Sequence, residues 1–233
     1  MRIFSAVVFD MDGVLIDSEP VIRRAAGLAG EDFGKTLTDA LYAELIGLPG
    51  PRVEAALLSA FGPNFRLDEY RVSFQRHYRA QIDAHGLRTK PGIPALLAEL
   101  VASGVPIAVA TQTRSGNAQL ALTVAGLLEY FPVCITGDQV AHGKPAPDIF
   151  LRAAATLAIA PSACIALEDS EVGVHAAVGA GMWTLMIPDL KQPSAATAAL
   201  ANEVFPEMLA ATARVRELLR NGVAAPASDH PPV

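Results

Sequence analysis

The sequence predicts an α/β fold, a parallel sheet covered by helices and interrupted by an all-helical insertion. Three observations predict it. Short continuous apolar runs alternate with helix-period segments from about residue 90 to residue 187. The stretch 19–87 shows helical periodicity and no buried strand. Acids and hydroxyls stand directly after several apolar runs, at the strand ends where an open parallel sheet binds its ligands.

Taken in order, the run AVVF at 6–9 combines apolar and β-branched residues, the pattern of a strand buried on both faces. Four helical pieces follow, at 21–29, 37–45, 52–60 and 67–84, punctuated by the Gly47-Leu48-Pro49-Gly50-Pro51 loop. Beyond them, helices are expected over 93–103, 116–128, 148–158 and 172–180, each ending near a glycine or a turn. Strands are expected over 105–110, 132–135, 163–167 and 183–187, joined by right-handed crossovers. A last helix over 205–219 precedes a Pro-rich, non-periodic tail at 221–233. The expected domains are an α/β core of 1–18 and 88–220, a helical cap of 19–87, and that tail.

At 233 residues and 52% hydrophobic composition the chain can bury a core, which excludes extended disorder. Acids outnumber bases 24 to 18 with no basic run, so nothing offers an electrostatic footprint for nucleic acid. No charge-free apolar run reaches the ~18 residues of a membrane helix, and Asp10 and Asp12 cut the N-terminal run too early for a signal peptide. Cys134 and Cys164 lack metal or redox spacing and sit in apolar runs. They are expected to be small core residues in a reducing cytoplasm, in a protein that is a monomer or weak homodimer.

The chemistry gathers at strand ends. The first strand runs into Asp10-Met11-Asp12-Gly13, the second ends at Thr111-Gln112-Thr113, and the fourth ends at Glu168-Asp169-Ser170. Lys144, in Gly-Lys-Pro-Ala-Pro, precedes a helix after the third strand. Acids so close would repel one another without a cation, and hard oxygen donors suit Mg²⁺. Thr111 begins a turn into a helix, where its hydroxyl and adjacent N–H groups can hold phosphate oxygens. Lys144 adds a point charge. Asp10 can then attack phosphorus while Asp12 protonates the leaving oxygen and later activates water. Residues 137–144 do not make a phosphate-binding P-loop, having one residue too many and Pro145 where Ser or Thr is needed.

The motifs Phe9-Asp10-Met11-Asp12-Gly13-Val14-Leu15-Ile16-Asp17-Ser18-Glu19, Ala110-Thr111, Gly143-Lys144-Pro145-Ala146-Pro147-Asp148 and Leu167-Glu168-Asp169-Ser170 resemble, in order and spacing, the four motifs of the haloacid-dehalogenase superfamily. The resemblance reaches to about residue 220 and implies a Rossmann-like core with a helical cap after the first motif. It implies Asp10 as nucleophile and Asp12 as acid/base. Mg²⁺ would be held by Asp10, the backbone carbonyl of Asp12 and Asp169, with help from Glu168. Thr111, Gln112 and Lys144 would bind the phosphoryl group, and Arg114 and Arg52 are candidate substrate contacts. Asp12 argues against the metal-free dehalogenases, whose halide leaving group needs no proton donor. A β-phosphoglucomutase-like reading is weakened because the mutase His and Arg fall near Ile22 and Gly50. The expected activity is therefore hydrolysis of a small phosphomonoester, such as a sugar phosphate or phosphoglycolate. A non-catalytic phosphate-binding or phospho-receiver domain is the alternative of another class; it has no need of Asp12 or a cap.

Overall fold

The computed structural model describes residues 2–48 and 50–223. The first strand, β1 (Ala6–Phe9), is followed by the short strand β2 (Ile16–Asp17) and four helices, α1 (Glu19–Glu31), α2 (Asp39–Leu45), α3 (Gly50–Phe61) and α4 (Leu67–His85). A second short strand, β3 (Arg88–Thr89), returns the chain to the sheet. Then come α5 (Ile93–Ala102), β4 (Ile107–Thr111), α6 (Ser115–Val124), β5 (Cys134–Thr136), α7 (Asp148–Thr156) and β6 (Cys164–Glu168). The remainder is α8 (Glu171–Gly179), β7 (Trp183–Met186), α9 (Ala195–Leu200), β8 (Glu203–Val204) and α10 (Met208–Asn221).

The main sheet has the order β5-β4-β1-β6-β7-β8, with every neighbouring pair parallel. This is the Rossmann-like α/β core expected from the alternating pattern. β1 lies inside the sheet with all four residues buried, which explains its uninterrupted apolar run. Successive side chains go to opposite faces. Val7 and Phe9 join the larger core with Leu96, Leu97 and Leu122, whereas Ala6 and Val8 face the smaller one with Ile149, Phe150 and Ala153. On that second face Ala108, Ala110 and Ala166 are small, so α7 and α8 can sit close to the sheet.

The helical insertion leaves and rejoins the core through one narrow ribbon, because β2 and β3 pair antiparallel with Ile16 opposite Thr89 and Asp17 opposite Arg88. Within it, Leu57, Tyr70 and Ala29 form a separate small core, flanked by Phe33, Phe61 and Phe65. No described helix is long and apolar enough to cross a membrane.

Some elements depart from the sequence expectation. β2, β3 and β8 are two residues long and α9 six, too short for periodicity to reveal. The last helix starts at Met208 instead of residue 205, since Pro206 falls just before its cap at Glu207. Val223 pairs with Arg2 through both backbone N–H groups, so the expected tail is tied down to that point. Its residues 224–233 lie outside the described ones. Cys164 is buried, Cys134 half-buried, and neither is in a disulfide. Burial pushes both thiols up to about 11, which keeps them protonated and inert.

Candidate active site

Three neighbouring strands deliver the site. β4, β1 and β6 lie side by side, with Phe9 opposite both Val109 and Leu167. Their carboxyl ends therefore bring Asp10, Thr111, Glu168 and Asp169 to one edge, although the residues are far apart in sequence. Asp10 is fixed by its N–H, which donates to the Leu167 carbonyl at 3.0 Å.

Lys144 enters from the segment before α7. Its Nζ donates to Asp10 Oδ1 at 2.5 Å and to Glu168 Oε1 at 2.5 Å, and it lies 5.1 Å from the Phe150 ring centroid. The ammonium is buried. Burial alone would lower its pKa, but Asp10 and Glu168 outweigh that and raise it. The Glu168 carboxylate is 0% exposed and also accepts from Ser170 Oγ at 3.2 Å. Asp10 is pushed up to about 8, chiefly by burial, against the pull of Lys144 and with added repulsion from Glu168 and Asp12. Asp169 is likewise held well above the ordinary carboxylate range by burial and by Asp10 and Glu168. The edge gathers more carboxyl groups than one ammonium can offset.

Asp12 sits in the turn after β1, and both its oxygens are held. Oδ1 accepts from Ser18 Oγ at 2.6 Å and Oδ2 from Thr113 Oγ1 at 2.7 Å. Thr113 is itself tied to Thr111, whose Oγ1 accepts the Thr113 N–H at 3.1 Å. Gly13 makes the turn possible. Its φ is +81°, and a β-carbon there would overlap the Asp169 carboxylate.

The expected site residues fall into different settings. Asp10, Asp12, Thr111, Gln112, Lys144, Asp169 and Arg52 all line one cleft of about 500 Å³. Gln112 also has a local task, because its side-chain carbonyl accepts the Lys144 N–H at 3.2 Å. Glu168 lies beneath the cleft, behind Lys144. Arg114 is exposed at the start of α6 and does not line the cleft. The clamp of Ser18 and Thr113 on Asp12 was not visible in the sequence, nor was the contribution of Glu19, Asp189 and Lys191 to the cleft wall. A signal for Ser18 existed in its place within the first motif; none existed for the loop after β7, which supplies Asp189 and Lys191.

Gly173, in the first turn of α8, packs against Glu168 so closely that a β-carbon would overlap its carboxylate. Gly→Ala inside a helix ordinarily stabilises by roughly 0.5–1 kcal/mol. At Gly173 the opposite sign is expected, a loss of about 1–3 kcal/mol from overpacking. Urea denaturation of Gly173→Ala checks this, and a gain in stability would contradict the contact.

The family model for the haloacid dehalogenase-like hydrolases matches residues 4–181. The chain belongs to this family. The hydrolase is 33% identical over 177 residues to the phosphorylated carbohydrates phosphatase of Thermotoga maritima, covering 76% of this chain and 82% of that one. It is 30% identical over 195 residues to the fructose-1-phosphate phosphatase of Escherichia coli strain K12, covering 77% and 94%. Among solved structures, CbbY from Rhodobacter sphaeroides in complex with phosphate superposes with a TM-score of 0.78 at 28% identity, covering 89% of the hydrolase and 96% of CbbY.

Proposed function

We propose that this hydrolase is a Mg²⁺-dependent phosphatase that cleaves a small phosphomonoester through an aspartyl-phosphate on Asp10. The observation that carries the reading is Asp10 at the end of β1, against the Lys144 ammonium, with Asp12 clamped two residues on. The names of the relatives, phosphatases of phosphorylated carbohydrates and of fructose 1-phosphate, support a sugar phosphate as substrate.

The residues fit a hard dication. Asp10, Glu168 and Asp169 each offer a carboxylate oxygen, all within 4.8 Å of one another. Burial first, and then neighbouring acids, raise the pKa of Asp10 and Asp169, a charge cost that a cation held among them would relieve. Asp10, Asp169 and the Asp12 carbonyl would hold Mg²⁺, with Glu168 behind them. Bound there, the ion supplies neutralisation of the phosphoryl charge.

Asp10 supplies the attacking oxygen, and the bond from phosphorus to the ester oxygen breaks as the acyl-phosphate forms. Asp12, held by Ser18 and Thr113, acts as the general acid that delivers a proton to the departing oxygen. The resulting carboxylate then takes a proton from water as it attacks phosphorus, which releases phosphate and restores Asp10. Thr111 and Lys144 orient the phosphoryl oxygens throughout. Residues 19–87 form the cap that closes over the cleft and excludes water during attack. Phosphate transfer within a sugar, as in a phosphomutase, is disfavoured because its histidine and arginine would fall near Ile22 and Gly50.

Phosphate release from a broad panel of phosphomonoesters, with and without Mg²⁺, tests the reading; absence of Mg²⁺-dependent release from every ester would overturn it. Metal binding has its own signature. A carboxyl whose folded pKa lies above its unfolded value stabilises the fold below the unfolded pKa and loses that contribution as pH rises through the folded one. For Asp10 that window runs from about 4 to about 8. Mg²⁺ competes with the proton for the same oxygens, so its stabilisation should grow across the window. The rise in Tm caused by millimolar MgCl₂ is expected to be larger at the upper end than at the lower. Equal rises at both ends would exclude metal binding by Asp10 and Asp169.

A further inference from the structure

Beside the cleft lies a second recess of about 380 Å³, lined by residues of the four helices of the insertion. Its wall is built from Ile22, Ala26, Leu45, Val53, Leu57 and Phe74, contributed by α1 to α4. The two cavities are continuous in their lining, since Glu19, Ile46, Gly47 and Gly50 border both. The cleft lining also includes the apolar Leu48, Val172 and the exposed Leu190.

The polar groups in the recess are already paired with one another. The Tyr42 hydroxyl donates to Glu19 Oε1, and Tyr70 Oη donates to the Ala26 carbonyl at 3.3 Å. Arg71 and Glu54 form an ion pair. Most of the remaining wall is apolar, so a polyol placed there would set hydroxyls against hydrocarbon, and each one buried unpaired costs free energy. A hydrocarbon chain or ring would lose only water. Ile22 and Gly50, near which a mutase's histidine and arginine would fall, both border this recess, and neither carries a polar side chain here.

We infer that the enzyme also hydrolyses phosphate monoesters of apolar alcohols, with the hydrocarbon portion of the leaving group seated in the recess between α1, α2, α3 and α4. The inference rests on the phosphatase reading and extends it to a second class of leaving group. Polar leaving groups stay in the outer cleft near Arg52, Asp189 and Lys191. The volume suits a chain of several carbons or one aromatic ring, within the ~300–1,000 Å³ of ordinary ligand sites.

The test is a series of n-alkyl phosphates from ethyl to hexyl, assayed by Mg²⁺-dependent phosphate release. The specificity constant is expected to rise about fourfold per methylene, the factor equivalent to ~0.8 kcal/mol of burial, until the recess is full. A flat series with ethyl phosphate turned over would leave the phosphatase reading standing and overturn this inference. Release from no alkyl ester while a sugar phosphate is cleaved in the same assay would overturn this inference alone, and release from neither would overturn both. Val53→Trp, which fills the recess from α3, is expected to lower the hexyl-to-ethyl ratio by about tenfold or more. Leu45→Gln, on α2, asks the same question with a polar group and no added bulk. An unchanged ratio in either folded variant would place the hydrocarbon elsewhere.

Discussion

Asp10→Asn is expected to reduce Mg²⁺-dependent phosphate release by ~10⁴-fold or more, the scale seen when a nucleophile is removed. An amide in that place cannot form the acyl-phosphate. The same substitution is expected to leave the Tm in metal-free buffer close to that of the parent protein, because the charge partner lost to Lys144 is set against relief of a buried acid. Burial and neighbouring acids push the Asp10 carboxyl up to about 8 against the pull of Lys144, which lessens the cost of an uncharged group there. Asn supplies one of nearly the same shape. The Tm increment on adding Mg²⁺ should shrink, because one donor of the three-carboxylate cluster is lost. Together these outcomes separate a lost nucleophile from a lost fold. Retention of more than about one percent of turnover would remove Asp10 from the role assigned to it.

Lys144→Met carries the largest expected effect on stability. The ammonium is buried between two buried carboxylates, 2.5 Å from each. Its raised pKa means that the charged form stabilises the fold at every pH below the unfolded value and loses that contribution only in strong alkali. Removing one member of a buried ion pair typically costs about 3–5 kcal/mol, because the partner charge stays desolvated and uncompensated. Methionine keeps the length of the apolar stem and removes the ammonium, with its place over the Phe150 ring, so the loss reports charge more than packing. A urea midpoint that falls by less than the equivalent of ~1 kcal/mol would show that the site does not depend on this cation. Adding Glu168→Gln to Lys144→Met should recover part of the loss, since it neutralises the stranded carboxylate; additive losses would argue that the two do not interact.

Much of this arrangement was legible in the sequence. β1, β4 and β6 are buried on both faces, so their residues read as nearly unbroken apolar runs, and the acids that follow β1 and end β6, with Thr111 at the end of β4, mark where the sheet stops. The catalytic candidates are adjacent to those runs, which makes their convergence a consequence of strand order alone. Short elements escaped for a physical reason. β8 contributes two residues, Glu203 and Val204, at the outer edge of the sheet, and neither is buried. The clamp on Asp12 escaped because Thr113 is 101 positions away, and only the pairing of β1 with β4 brings it close. Arg114 was a reasonable candidate from its place after the second motif, yet the N-terminus of α6 leaves it exposed and outside the cleft. Charge alone could not give its direction.

The ribbon of β2 and β3 bears on how the chain reaches its native state. Pairing β1 with β4 requires the ends of the whole helical insertion to meet, a closure whose entropic penalty grows with the logarithm of loop length. α1 and α4, the first and last helices of the insertion, pack extensively on each other, so that pair can assemble from its own contacts and deliver Ile16 to Thr89 already juxtaposed. The sheet then needs to close only the short connections on either side. Topologically, the insertion behaves as a clasp that shortens the search between two central strands, instead of as a burden placed between them.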